Sequence, residues 1–187
     1  MRFTLYYRGP LKSNRGAREK QELRRHFHAQ LRELWTHTPL AGFHGKFLDL
    51  TKNDLSTNVI RAVGPFSFAP LVCEKLSVVA ELQITLFRPQ SPGALVGSGG
   101  DIDNRLKTVL DALKVPSEPN ALPADDVPLP GEDPFFTVLE DDKLITELGV
   151  TTERLLEPGL DPNEVLLLIA ITIRHVEVYM GTIGLGS

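Results

Sequence analysis

Two short acidic strings hold the residue types best suited to chemistry: Gly100-Asp101-Ile102-Asp103-Asn104-Arg105-Leu106-Lys107, and further on Glu140-Asp141-Asp142. Carboxylate oxygens are what a hard divalent cation such as magnesium takes, and a lysine one helical turn after Asp103 could offer positive charge to a phosphate. At 100° per residue Asp103, Asn104, Lys107 and Asp111 fall on one side of a helix, opposite the stripe Ile102, Leu106, Val109, Leu110 and Leu113. A purely structural reading uses the same residues. Aspartate caps helix N-termini and complements the helix dipole, and Asp103 to Lys107 is an ordinary i,i+4 pair. An EF-hand loop is excluded, because Arg105 and Ala112 stand where that loop needs Asp or Asn and Glu. Gly97-Ser98-Gly99-Gly100 fits neither a phosphate-binding Walker loop nor a dinucleotide fingerprint. Three consecutive acids repel and are poor strand formers, so Glu140-Asp141-Asp142 at the start of a strand needs either solvation at a turn or convergence with Asp101 and Asp103 on a metal.

The elements that must position these strings follow from periodicity. Phe3 to Arg8, ahead of Gly9-Pro10, reads as a strand; Leu23, Phe27, Leu31, Leu34 and Trp35 mark one face of a helix over 17–35. Ser77 to Phe87 alternates as a half-buried strand, and a Gly/Ser/Pro loop over 89–100 delivers the chain to a helix over 101–114. Strands are expected from Lys143 to about Thr151 and, buried, from Val165 to Ile173. Residues 40–76 show no sustained period, and 115–137, with six prolines, five acids and no Lys or Arg, read as an irregular surface insertion. The order predicts one α/β or α+β domain over 1–187, a small mixed sheet with two main helices. Val165 to Ile173 is apolar at nearly every position, so both its faces should be covered, by a partner subunit or by residues 40–76.

With 187 residues, 42% hydrophobic and 24% charged, the chain can bury a core, which excludes wholesale disorder. The single cysteine, Cys73, excludes an internal disulfide, and five histidines without ligand spacing exclude a usual zinc site. They read as surface or packing residues, as Phe27 and Trp35 read as core. No signal peptide or membrane span is expected, and the location expected is cytoplasmic. The net charge of −4 conceals an asymmetry: residues 1–36 carry nine Lys/Arg against three Glu, and residues 100–161 fifteen Asp/Glu against five Lys/Arg. The basic arm could track a phosphate backbone.

Asp-Ile-Asp-Asn-Arg-Leu-Lys with Val-Leu-Asp-Ala-Leu, followed by Leu-Glu-Asp-Asp-Lys-Leu-Ile, resembles the RusA-type Holliday junction resolvases, endonucleases of DNA recombination and repair common in phages and prophages. The resemblance implies a small mixed α/β homodimer that cuts branched DNA, the four-way junction above all, with Mg2+ or Mn2+. It assigns catalysis to Asp101, Asp103, Lys107 and Asp142, with the three aspartates as metal ligands and Asn104 and Asp141 beside them. Since the loop over 89–100 lacks the arginines usual in that family, Arg8, Lys12, Arg15, Arg24, Arg25 and Arg32 are the expected DNA contacts. The alternatives are a flap or single-strand nuclease on the same site, or a DNA-binding or interaction protein of the same fold that does not cut.

Overall fold

The computed structural model of the chain describes residues 1–12, 16–48, 58–90 and 102–176. It is a mixed α+β fold built on a four-stranded and a three-stranded sheet. The larger sheet runs β1 (Arg2–Pro10), β7 (Glu164–His175), β4 (Val78–Arg88), β6 (Ile145–Arg154). β7 is antiparallel to both neighbours, while β4 and β6 are parallel. Alternation explains its two faces. Val78, Ala80, Leu82, Ile84 and Leu86 of β4 and Val165, Leu167, Ile169, Ile171 and Ile173 of β7 are buried under α1 (Ala17–Leu34) and α3 (Ile102–Leu113). The residues between them, Leu166, Leu168, Ala170 and Thr172 on β7, face outward and are half-buried.

α1 shows its apolar stripe as expected: Leu23, Phe27 and Leu31 are buried, and Trp35 caps the end. It also closes the free edge of β1, because the Gln30 amide accepts from the Tyr6 N–H at 3.0 Å and donates to the Tyr6 carbonyl at 2.8 Å. A side-chain amide thus replaces a neighbouring strand.

The described residues of 40–76, namely 40–48 and 58–76, build a second sheet and its approach rather than a cover for the outward face. After a 3-10 turn, Leu40–Phe43, and a single turn α2 (His44–Phe47), they supply β2 (Arg61–Val63) and β3 (Phe66–Val72) of the second sheet, whose third strand is β5 (Phe135–Leu139). β3 and β5 are buried at nearly every position, so they lack the alternation that marks a half-exposed strand. Pro70 is tolerated inside β3 because β2 pairs only as far as Phe68, leaving that edge open where the proline has no N–H to give.

The insertion expected over 115–137 is shorter and less superficial than its composition suggests. Phe135, Phe136 and Thr137 already belong to β5, and Val115 and Leu122 join Phe66, Phe68 and Phe135 in a second small core.

Candidate functional site

α3 opens over the carboxyl end of β4, where Ile102 and Leu106 line a small apolar pocket with Leu11, Leu86, Val150 and Leu167. Its buried side is Arg105, Thr108, Val109, Ala112 and Leu113, anchored by a hydrogen bond from Arg105 Nη1 to the Leu11 carbonyl. The opposite side carries the first string. Asp103 and Lys107 are exposed one turn apart, Asn104 is half-buried with its carbonyl accepting from Thr108 Oγ1 at 2.9 Å, and Asp101 lies outside the described residues.

Below Lys107 the same stripe continues through Asp111 to Lys114. Lys20 of α1 reaches Asp111 Oδ2 at 2.6 Å, and Lys114 Nζ lies 2.7 Å from Asp142 Oδ2 and 3.9 Å from Asp111 Oδ1. Asp142 therefore meets α3 at its C-terminal end. Eleven residues separate Asp103 from Lys114, about 16 Å along the axis at 1.5 Å per residue. The hydrogen bond and charge of Lys114 hold the Asp142 carboxyl below its usual range.

Each acid of the second string has a partner that explains its place. Glu140 pairs with Arg61 at 2.6 Å and accepts the Glu74 N–H at 3.0 Å. Asp141 caps the 3-10 turn Asp142–Leu144 by accepting from the Lys143 N–H at 3.0 Å. Among the described residues, no group of three His, Cys, Asp or Glu side chains comes together as metal ligands would. Asp103 and Asp142 are placed at opposite ends of α3, and Asp101 cannot be placed.

The basic arm is the larger departure from expectation. The acids it was set against in sequence are its partners in space: Arg18 pairs with Asp125 at 2.8 Å, and Arg25 with Asp126 at 2.9 Å and Glu132 at 2.8 Å. Arg24, expected as a DNA contact, is 3% exposed, with its guanidinium bonded to the carbonyls of Asp111 and Lys114 at the end of α3 and to Gln21 Oε1. Burial lowers its pKa to about 10, so it is still a cation at neutral pH. Arg32 reaches the Gly131 carbonyl at 3.5 Å, and Arg8 is held by Glu157 at 2.6 Å. Lys12 is exposed, and Arg15 lies outside the described residues. Arg24 is thus turned inward onto the carbonyls at the end of α3, and Arg25 onto the acids of the insertion.

His28, read from the sequence with the other histidines as a surface or packing residue, is a packing residue with two hydrogen bonds. It is 3% exposed, stacked near Phe135 and Phe136, and uses both ring nitrogens: Nδ1 accepts the Phe136 N–H at 2.9 Å and Nε2 donates to the Gly131 carbonyl at 3.1 Å. These bonds fix the neutral tautomer, and burial pushes its pKa down. Cys73 is buried, and its thiol is pushed up to about 11, which leaves little thiolate at neutral pH.

No protein-family model matches the chain, and comparison with curated proteins and with solved structures found no significant match either. No helix among the described residues is long and apolar enough to cross a membrane.

Proposed function

We propose that the chain is a divalent-cation-dependent endonuclease acting on branched DNA, of the RusA type that its two motifs resemble. The observation that carries this reading is the setting of Asp103 and Lys107. They stand one turn apart on the exposed side of a helix whose other side is locked into the core, and Lys107 has no ion pair among the described residues. A carboxylate and an ammonium fixed on a rigid element are what phosphoryl chemistry requires of a protein. The donor set is carboxylate alone, which suits Mg2+ or Mn2+; the metal would supply Lewis acidity and an activated water. Asp101 and Asp103 would hold it, and Lys107 would balance charge on the phosphoryl oxygens. Asp142 joins them only by leaving Lys114.

A homodimer is part of the proposal. The outward face of the larger sheet presents half-buried Leu166, Leu168, Ala170 and Phe87, with Tyr6 53% exposed. The cross-strand rows run from Arg2 through Thr172 and Glu81 to Glu147, and from Arg8 through Leu166 and Phe87 to Glu153. A two-fold axis parallel to the strands would therefore set the basic edge of one copy over the acidic edge of the other.

The second reading, a DNA-binding protein that does not cut, is favoured by the Asp142–Lys114 pair, which leaves the third carboxylate of the motif engaged elsewhere. Incubation with labelled four-way junction, flap and linear duplex, with and without Mg2+ or Mn2+, separates the two. Metal-dependent incision of branched DNA supports the nuclease; tight binding without incision in either metal supports the second reading.

A further inference from the structure

Arg88 ends β4 in a setting that nothing in the site above uses. Only 7% of its surface is exposed, its Nε has no hydrogen-bond partner, and among the described residues no carboxylate pairs with it. Burial alone lowers its pKa, with no acid acting in the other direction. A buried cation without a counter-charge is costly, and such an orphan calls for an explanation.

Its neighbour across the ladder is a second cation. In the parallel ladder Arg88 is the register partner of Arg154, the last residue of β6, and the ladder is intact there, since the Leu155 N–H donates to the Arg88 carbonyl at 2.6 Å. Register partners point to the same side of a sheet, roughly 4.8 Å apart at the backbone. That side is the one on which Leu86 meets Ile102 at the opening turn of α3. Arg154 is exposed, and among the described residues it has no ion pair. Two arginines on one side of the sheet, neither paired with a carboxylate among the described residues, leave an anion as the group that could join them. Their planar forks match the oxygens of a phosphate, and the carboxyl ends of parallel strands beside a helix N-terminus are where such groups bind in open sheets.

We propose that Arg88 and Arg154 form a phosphate-binding site at the carboxyl end of β4 and β6. The phosphate is either free or part of a nucleic-acid backbone. The backbone form rests on the DNA reading above and would add phosphate contacts where Arg18 and Arg25 of α1 are paired with the insertion.

The test compares wild type, Arg88→Met and the exposed-site variant Arg154→Gln. Thermal unfolding is measured in sodium chloride and in inorganic phosphate at equal ionic strength, and binding to a labelled four-way junction is measured over a salt series in EDTA. Wild type should be stabilised by phosphate beyond chloride, and both variants should lose that response. Arg88→Met should also raise the unfolding temperature in chloride, which a guanidinium serving only to pack would not do. Junction binding should weaken roughly tenfold in Arg154→Gln, with the log-log salt slope falling by ~0.9 for the lost contact. A phosphate response without a change in DNA slope assigns the site to free phosphate. Full phosphate response and unchanged slope in Arg154→Gln, or no response in wild type, overturns the site. Because no metal is present and no incision is read, these outcomes are independent of whether the protein cuts.

Discussion

Replacing His28 with phenylalanine isolates the bond that ties α1 to β5. The ring keeps its stacking partners, Phe135 at 4.4 Å and Phe136 at 5.7 Å between centroids, but both hydrogen bonds are lost. The Phe136 N–H, buried, is left without its acceptor, which costs about 1–3 kcal/mol. The Gly131 carbonyl loses less, since Arg32 Nη1 also reaches it at 3.5 Å. A total near 2–3 kcal/mol corresponds to a fall of about 4–12 °C in Tm for a chain of this size. The effect depends on pH with a definite sign. Burial sets the His28 pKa below the ordinary histidine value, opposed by the Gly131 bond and Glu132 and assisted by Arg32 and Arg25. The unfolded chain therefore takes up its proton first, and the stability due to neutral His28 is fully present above about pH 6.5 and is lost as pH falls below it. The gap between wild type and His28→Phe should be widest at pH 8 and should narrow by up to about 1.4 kcal/mol per pH unit below 6.5. Urea unfolding followed by fluorescence of the single tryptophan, Trp35, which stacks on Phe136 at 5.3 Å, reads this directly. A gap that stays constant from pH 8 to pH 5, or a variant as stable as wild type, would refute the assigned tautomer and its two bonds.

Arg25→Met should destabilise the fold by about 3 kcal/mol in urea titration, because it strands the Glu132 carboxylate, 6% exposed, without its cation, while DNA affinity stays within a factor of two. Lys114→Met should return the Asp142 carboxyl upward towards its ordinary value, as read by NMR titration, with little change in stability because the pair is half-exposed. Asp103→Asn should abolish metal-dependent incision while thermal unfolding stays unchanged; a variant cutting at wild-type rate sinks the nuclease assignment. Light scattering at micromolar concentration should give twice 20.7 kDa, and a monomer mass would remove the two-fold pairing of the outward sheet faces.

Whatever is local and periodic was legible from the sequence. The stripe Leu23, Phe27, Leu31 set α1, the alternation of Leu82, Ile84 and Leu86 set β4, and both ended within two residues of their expected limits, because amphipathic patterning is written in adjacent residues. Exposure of Asp103 and Lys107 followed from the same 100° step. β3 and β5 escaped because strands buried on both faces have no alternation, and the prolines around them read as loop. What only the tertiary structure decided concerns pairs far apart in the chain. The surplus of cations before residue 36 and of acids after residue 100 is plain in the composition, but composition cannot say whether two opposite charges meet each other or meet solvent and ligand. Folding brought Arg18 to Asp125 at the surface and Arg25 to the buried Glu132 across 107 residues, and so gave part of the basic arm internal partners. It likewise gave Asp142 to Lys114 at one end of α3 and left Arg88 beside Arg154 at the other, because ionic contacts depend on distances of a few ångströms that sequence separation does not encode.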